Sequence, residues 1–264
     1  MKLEEIMEFK TGHYFDLSNF RYKDVFDNVD VVWDVLKRLT EYLQKNARLA
    51  IHPEAQIHPT AIVEGDVTIG KGTVVGEYAV IKGPTLIGEN CQIQPHAHVR
   101  GKVIAGDYTR IGNYTEIVNA ILLGGTGPEK QEMAHFAHYN YVGYCVVGNR
   151  VILGARVRGS DNDTSTTLEE GVTTSSLRAD WKPVSVSLGD TKYNTGLPQF
   201  SAIIEDDVLI GCHTVINPGS LIGKESWISG APSEWNGYLA PKRFAKGKIT
   251  HYQIVDKKTS KIIF

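Results

Sequence analysis

From Ile51 to Val99 an aliphatic residue stands at every sixth position: Ile51, Ile57, Val63, Ile69, Val75, Ile81, Ile87, Ile93 and Val99. Four places after each of the first eight sits a small or slim residue, namely Ala55, Ala61, Val67, Thr73, Ala79, Thr85, Cys91 and Ala97. An α-helix repeats its apolar face every 3.6 residues and an ordinary strand every 2, so neither explains a period of six. A sustained six-residue period predicts a parallel β-helix, in which three rungs of six make one triangular coil. Residues eighteen apart then stack, roughly 4.8 Å from coil to coil. Ile51, Ile69 and Ile87 are expected to form one inner column, Ile57, Val75 and Ile93 a second, and Val63, Ile81 and Val99 a third. The small residue suits the corner. The glycines of IGKG, VGEY and IGEN are expected where the turn swings back sharply.

The period resumes at Ala105, Ile111 and Ile117, at Val147 and Leu153, and from Ile204 through Ile210, Ile216 and Ile222 to Ile228. Two interruptions separate these runs, 124–134 and 159–200. In the second, Val184, Val186 and Leu188 alternate with other residues and are followed by GDTKY, which predicts a small hairpin. Residues 1–50 differ in kind. Val25, Val29, Val32, Trp33, Leu36, Leu39 and Leu43 follow helical spacing and predict a helix over 28–46 that caps the first coil. The chain thus divides into an N-terminal helical cap (1–50), a β-helix with its insertions (51–235) and a C-terminal tail (236–264), where two short strands surround a polar turn.

Composition narrows the functions. With 28 Lys and Arg against 30 Asp and Glu, the net charge of −2 argues against general nucleic-acid binding. No apolar run is long enough to span a bilayer, and MKLEEIMEF is not a secretory signal, so a cytoplasmic protein without membrane association is expected. Cys91, Cys145 and Cys212 are odd in number and far apart, as reduced thiols would be. No Cys/His spacing marks a zinc site, and no metal is expected. The β-helix interior is apolar, so chemistry belongs outside. His52, His58, His96 and His98 fall at outward or corner positions and read as residues that shape turns. The segment AHFAHYNYVG (134–143) is denser, with His135, His138 and Tyr141 spaced by three. Two accounts stand for it: aromatic packing at a loop base, or a catalytic base, since imidazole titrates near neutrality.

The hexads together with HYNYVG, YNTGLPQFSAII and IGCHTVINPGSLIG resemble the acetyltransferase domain of the bifunctional UDP-N-acetylglucosamine pyrophosphorylase/glucosamine-1-phosphate N-acetyltransferase. They resemble more closely its relatives among the sugar-phosphate nucleotidyltransferases that carry a left-handed β-helix. The likeness covers roughly residues 51–230. It implies an all-β chain built on a left-handed parallel β-helix; the residues before Ile51 hold no glycine-rich nucleotide loop and are too few for a nucleotidyltransferase domain, so none is expected. It implies acetyl-CoA as co-substrate, an amino sugar or sugar phosphate as acceptor, and a homotrimer with active sites between subunits. By the same likeness His138 is the general base, Arg100, Asn140 and Tyr141 meet the sugar phosphate, and Ala155, Cys212 and Gly230 lie along coenzyme A. Two phosphate-binding lysines of the family are replaced by Val118 and Gln199, and an Asn-Tyr pair by Asp161-Asn162. Two other readings compete. One is a non-catalytic β-helix that binds or assembles after losing its sugar site. The other is a γ-carbonic-anhydrase-like metalloenzyme using His135 and His138.

Overall fold

The computed structural model describes residues 9–155, 171–229 and 233–245. Short parallel strands stack into three sheets that form the sides of a triangular prism. Two of these sheets (A and B) have nine strands and the third (C) has eight. Apart from the two strands of a separate hairpin, strands follow one another in the order A, B, C around each coil, and every third of them is a hydrogen-bonded neighbour.

The inner column of sheet A runs Ile51, Ile69, Ile87, Ala105, Leu122, Val147, Ile204, Ile222 and Leu239 in direct register. Ile57, Val75, Ile93, Ile111, Phe136, Leu153, Ile210, Ile228 and Ala245 form that of sheet B. From Ile69 to Leu239 and from Val75 to Ile228 these side chains make one continuous core, and Ile57 and Ala245 pack against it. The expected eighteen-residue step holds from Ile51 to Ala105, then shortens by one residue at Leu122, across the corner at Asn119 (φ 47). At the corners the small polar residues meet carbonyls they would otherwise strand. Thr73 Oγ1 donates to Gly88 O at 2.8 Å, and Thr85 Oγ1 to Lys82 O at 2.7 Å.

The glycines need a different explanation from the expected one. Gly70, Gly76 and Gly88 do not carry the reversal; the residues two places on do, namely Gly72 (φ 65), Tyr78 (φ 56) and Asn90 (φ 54). What excludes a side chain at Gly76 is the next coil: a Cβ there would sit 2.8 Å from Pro95 Cδ.

Three boundaries also differ from expectation. Among the described residues the N-terminal segment does not cap the first coil. The α-helix spans Val35–Asn46 after a short 3-10 turn at Val32–Asp34, and residue 28 lies in the left-handed region, which stops a helix from starting there. Its apolar stripe (Val32, Trp33, Leu36, Leu39, Leu43) packs beside the prism, on the outward residues Leu86, Ile104, Ile121, Val146, Ile203 and Leu221 of sheet A. Ile51 of the first coil stays 44 % exposed. Secondly, 159–200 is not one insertion. Thr173–Thr174 is a strand of sheet C, and the excursion resumes after it at the C-to-A corner with the hairpin Ser185–Leu188/Thr191–Asn194, as the alternation predicts. Val184, Val186 and Phe200 join the flank, and Phe9 packs edge-on against Tyr193 at 4.8 Å. Thirdly, the coils continue past 235, through Tyr238–Leu239 and Phe244–Ala245. The two strands expected after Lys248 lie outside the described residues, as do Asp161 and Asn162.

Candidate active site

The B-to-C corner collects most of the expected residues. His138 sits in the turn between the strands Ala134–Phe136 and Tyr141–Gly143 and is half-buried. Its backbone is held on both sides. Ala137 donates to Leu153 O at 3.0 Å, Tyr139 to Asn113 O at 3.0 Å, and Gly171 to the carbonyl of His138 at 2.9 Å. Ala155 ends the sheet B strand Ile152–Ala155 on the following coil, where the ladder slips between Leu153 and Ala155. Cys212 lies on the coil after that, half-buried, with Sγ 3.2 Å from Gly154 O. Three residues distant in sequence are therefore stacked on consecutive coils at one corner. Gly230 lies outside the described residues.

Asn140 departs from its expected role. It is 2 % exposed, its Oδ1 accepts from Val172 N–H at 2.6 Å, and its own N–H donates to Thr115 Oγ1 at 3.3 Å. It ties adjacent coils together inside the corner and does not reach the surface where a sugar would bind.

Tyr141 and Arg100 lie on the outer face and edge of sheet C. Glu116 stands in register between His98 and Tyr141. The Arg100 guanidinium bonds the Glu116 carboxylate at 2.5 Å, so an acidic neighbour already engages the expected phosphate grip. The glycine at 143 makes room for the phenol: a Cβ there would lie 2.9 Å from Val118 Cγ1 and 3.2 Å from Tyr141 Oη. Burial raises the pKa of Tyr141, helped by Tyr144 and Glu116. His98, expected to shape a turn, is a strand residue of this face. Burial lowers its pKa, Glu116 works against that, and its Nε2 is buried without a partner.

Sequence reasoning missed a cleft of about 730 Å³ at the C-to-A corner, whose lining includes Ser175, Arg178, Ser185, Ser187, Lys192 and Asn217. Arg178 makes a two-pronged bond to Asp180 (2.8 and 2.7 Å), which holds that carboxyl well below its usual range. Arg178 follows the strand Thr173–Thr174 closely, and Lys192 lies on the hairpin strand Thr191–Asn194. Treating 159–200 as one insertion hid them, and the search for cations at Val118 and Gln199 passed them by. Among the described residues no three His, Cys, Asp or Glu side chains converge as a metal would require.

The same B-to-C corner carries a file of rings. Tyr78, His96, Tyr114 and Tyr139 occupy the equivalent left-handed position on four successive coils (φ 56–60). Neighbouring centroids lie 5.2, 4.8 and 5.0 Å apart, with interplanar angles of 17°, 7° and 6°.

Residues 46–175, a little under half of the chain, match the family model described as the GMPPB C-terminal domain. The fold is a left-handed parallel β-helix with a six-residue repeat. No curated protein matches this β-helix chain. Among solved structures it is similar to the UDP-N-acetylglucosamine acyltransferase from Campylobacter jejuni, at 20 % identity over 75 % of this chain and 72 % of that one, with a TM-score of 0.45. The enzyme of the same name from Francisella novicida gives 18 % identity, 69 % and 59 % coverage and a TM-score of 0.34. The GDP-perosamine N-acetyl transferase from Caulobacter crescentus, solved with CoA and GDP-perosamine, gives 13 %, 81 % and 60 %, and 0.22. Among the described residues no helix of this β-helix protein is long and apolar enough to cross a membrane.

Proposed function

We propose that this chain is a CoA-dependent acyltransferase, moving an acetyl group from acetyl-CoA to the amine of an amino sugar or sugar phosphate. The observation that carries the reading is the stacking of His138, Ala155 and Cys212 on consecutive coils of one corner, with Tyr141 on the adjoining strand. A file of small residues lets the arm of a thioester lie along the corner, and an imidazole near it supplies the base. The acceptor nitrogen attacks the thioester carbonyl while His138 takes its proton, and the tetrahedral intermediate then expels the CoA thiolate. The C–N bond forms on attack, the C–S bond breaks as the intermediate collapses, and the proton on the imidazole passes to the thiolate. A homotrimer would let a neighbouring copy complete the site, as the family resemblance implies.

A second reading has its own support. The Arg100–Glu116 pair and the inward turn of Asn140 occupy two groups that a sugar phosphate would need. A β-helix used for binding or assembly would show the same arrangement.

Calorimetry with acetyl-CoA separates the two without knowledge of the acceptor. Micromolar binding at one site per chain is expected. Screening amino-sugar acceptors for thiol release should then find turnover that falls 10²–10⁴-fold in His138→Ala, with CoA affinity unchanged. Absence of binding at millimolar acetyl-CoA leaves the assembly reading standing, and near-parental turnover in His138→Ala removes this residue as the base.

A further inference from the structure

The cleft at the C-to-A corner has three walls, each built by a different device. The first is a ladder on the prism itself. Thr174, Ile216 and Trp235 pair in register on successive coils of sheet C. Ser175, Asn217 and Asn236, one place on, therefore line the cleft at steps of roughly 4.8 Å. Ser175 N–H donates to Ile216 O and Asn217 N–H to Trp235 O, each at 2.8 Å, which fixes the ladder at the backbone. The second wall is the polar face of the hairpin. Val184, Val186 and Leu188 pack on the flank, so by alternation Ser185 and Ser187 turn to the cleft, and Lys192 stands opposite Ser187. The hairpin is seated on the coil at Gly219 (φ 84), where a Cβ would collide with Ser185 O. The third wall is the turn that carries the Arg178–Asp180 pair, closed by Trp181 N–H to Arg178 O at 3.1 Å.

We propose that this cleft binds a saccharide carrying a single acidic group, at a place separate from the corner of His138. Two cations, Arg178 and Lys192, face one carboxylate, Asp180, which leaves one positive charge for a ligand. The remaining polar lining consists of hydroxyl and carboxamide groups. A sugar hydroxyl both donates and accepts, and Ser and Asn side chains answer both needs. The Arg178–Asp180 pair adds to this, because its two mutual bonds leave further N–H donors on the guanidinium and further lone pairs on the carboxylate. Among the described residues no aromatic side chain lines the cleft, so a nucleobase finds no stacking platform there, whereas a polyol needs none. The volume of about 730 Å³ is of the size that small-molecule sites take. Backbone pairing and the ion pair set the walls, so few side chains must be ordered on binding. Two sources share this chemistry: a phosphorylated sugar and a carboxylated one. The strand Thr173–Thr174 separates the cleft from the candidate base, since Ser175 follows one end of it and Gly171, which donates to His138 O, precedes the other. That interval is roughly 10–13 Å, beyond the reach of a monosaccharide held in the cleft. The inference does not depend on acyl transfer, because it is read by binding alone.

The test uses the full chain and calorimetric titration with glucose 1-phosphate and glucuronate. Glucose and inorganic phosphate serve as the ligands that each lack one half of the chemistry. At least one acidic sugar should bind at one site per chain, at least about tenfold more tightly than glucose or inorganic phosphate. Lys192→Gln should weaken it roughly tenfold, as the loss of one charge-assisted contact would. Asn217→Ala, on the opposite wall, should weaken it by about fivefold. Lys102→Gln removes an exposed charge at the same corner three coils below and should leave affinity unchanged. Preference for glucose 1-phosphate identifies a phosphorylated sugar, and preference for glucuronate a carboxylated one. Inorganic phosphate that binds as tightly as the sugars would reduce the cleft to an anion site and overturn the proposal. Absence of binding at millimolar concentration, or parental affinity in Lys192→Gln or Asn217→Ala, overturns it as well. His138→Ala should abolish turnover and leave saccharide affinity intact, so failure of the acyltransferase reading and failure of this one are told apart.

Discussion

Glu205 is an acid held where its charge is unfavourable. It is 7 % exposed at the A-to-B corner, one oxygen accepting Lys224 N–H at 2.9 Å. Burial pushes its pKa up to about 7 from the ordinary carboxylate value of 4.5, with Asp206 adding to the rise while the Lys224 N–H and charge oppose it. Between those two values the folded chain binds more protons than the unfolded chain. Stability must then fall as pH rises through that window and level off above about 7. At about 1.4 kcal/mol per unit the interval corresponds to at most ~3.5 kcal/mol. Glu205→Gln keeps the volume and an oxygen for Lys224 N–H but removes the ionisation. The variant should match the parent near pH 5 and exceed it by about 2–3 kcal/mol at pH 8. Urea unfolding of both proteins at four pH values from 5 to 8 measures the difference, in which other titrating groups cancel. A variant-minus-parent difference that stays flat, or that shrinks with rising pH, would refute the argument.

Two other outcomes follow from burial and hydrogen bonding. The Asp206 carboxylate accepts the N–H of Asp16 (2.8 Å) and of Asn149 (2.7 Å), pinning the N-terminal flank to the coils. Asp206→Ala strands both donors at about 1–3 kcal/mol each where they stay dry, so limited proteolysis should cut near residue 16 much sooner than in the parent, and an unchanged cleavage pattern would count against the clamp. Cys91 and Cys145 are fully buried, with pKa values pushed up to about 12 by that burial, whereas Cys212 is half-buried. A thiol reagent at pH 8 should therefore modify one equivalent per chain rapidly and the other two only on unfolding; fast reaction of all three would show the core columns to be open.

The six-residue period made the interior legible because it records only the side chains that point inward. Ile51 to Val99 predict the columns, and the register of sheets A and B carries them to Leu239 and Ala245. What covers the outside was less legible, although a signal was present. The sheet A strands are apolar on both faces: Leu86, Ile104, Ile121, Val146, Ile203 and Leu221 alternate with the core residues. The corresponding outward places of sheet B hold Gln92 and Arg110, and those of sheet C hold His98 and Glu116. A strand buried on both faces reads as a continuous apolar run, so the doublets and triplets of aliphatics on one side of three pointed to a covered flank. The helix at 35–46 supplies that cover. Placing it over the first coil rested on the general need to cap a solenoid, and Ile51 shows that within the described residues this end is left partly open.

The site was legible only as far as the count stayed regular. Tyr78, His96 and Tyr114 stand eighteen apart, so their stacking is implicit in the period. Tyr139 follows Tyr114 by twenty-five residues, because the loop before Ala134 intervenes, and Gly171 and His213 follow at distances set by further excursions. No arithmetic on the chain brings Tyr139 and Gly171 to one corner; the hydrogen bonds between coils do. Pairing across a sheet face is hidden for a related reason. Arg100 and Glu116 are sixteen apart, and whether an outward cation meets a ligand or a carboxylate depends on which side chain the neighbouring coil presents. A β-helix therefore announces its core through repetition, while its chemistry lies where the repetition is broken or where it faces outward.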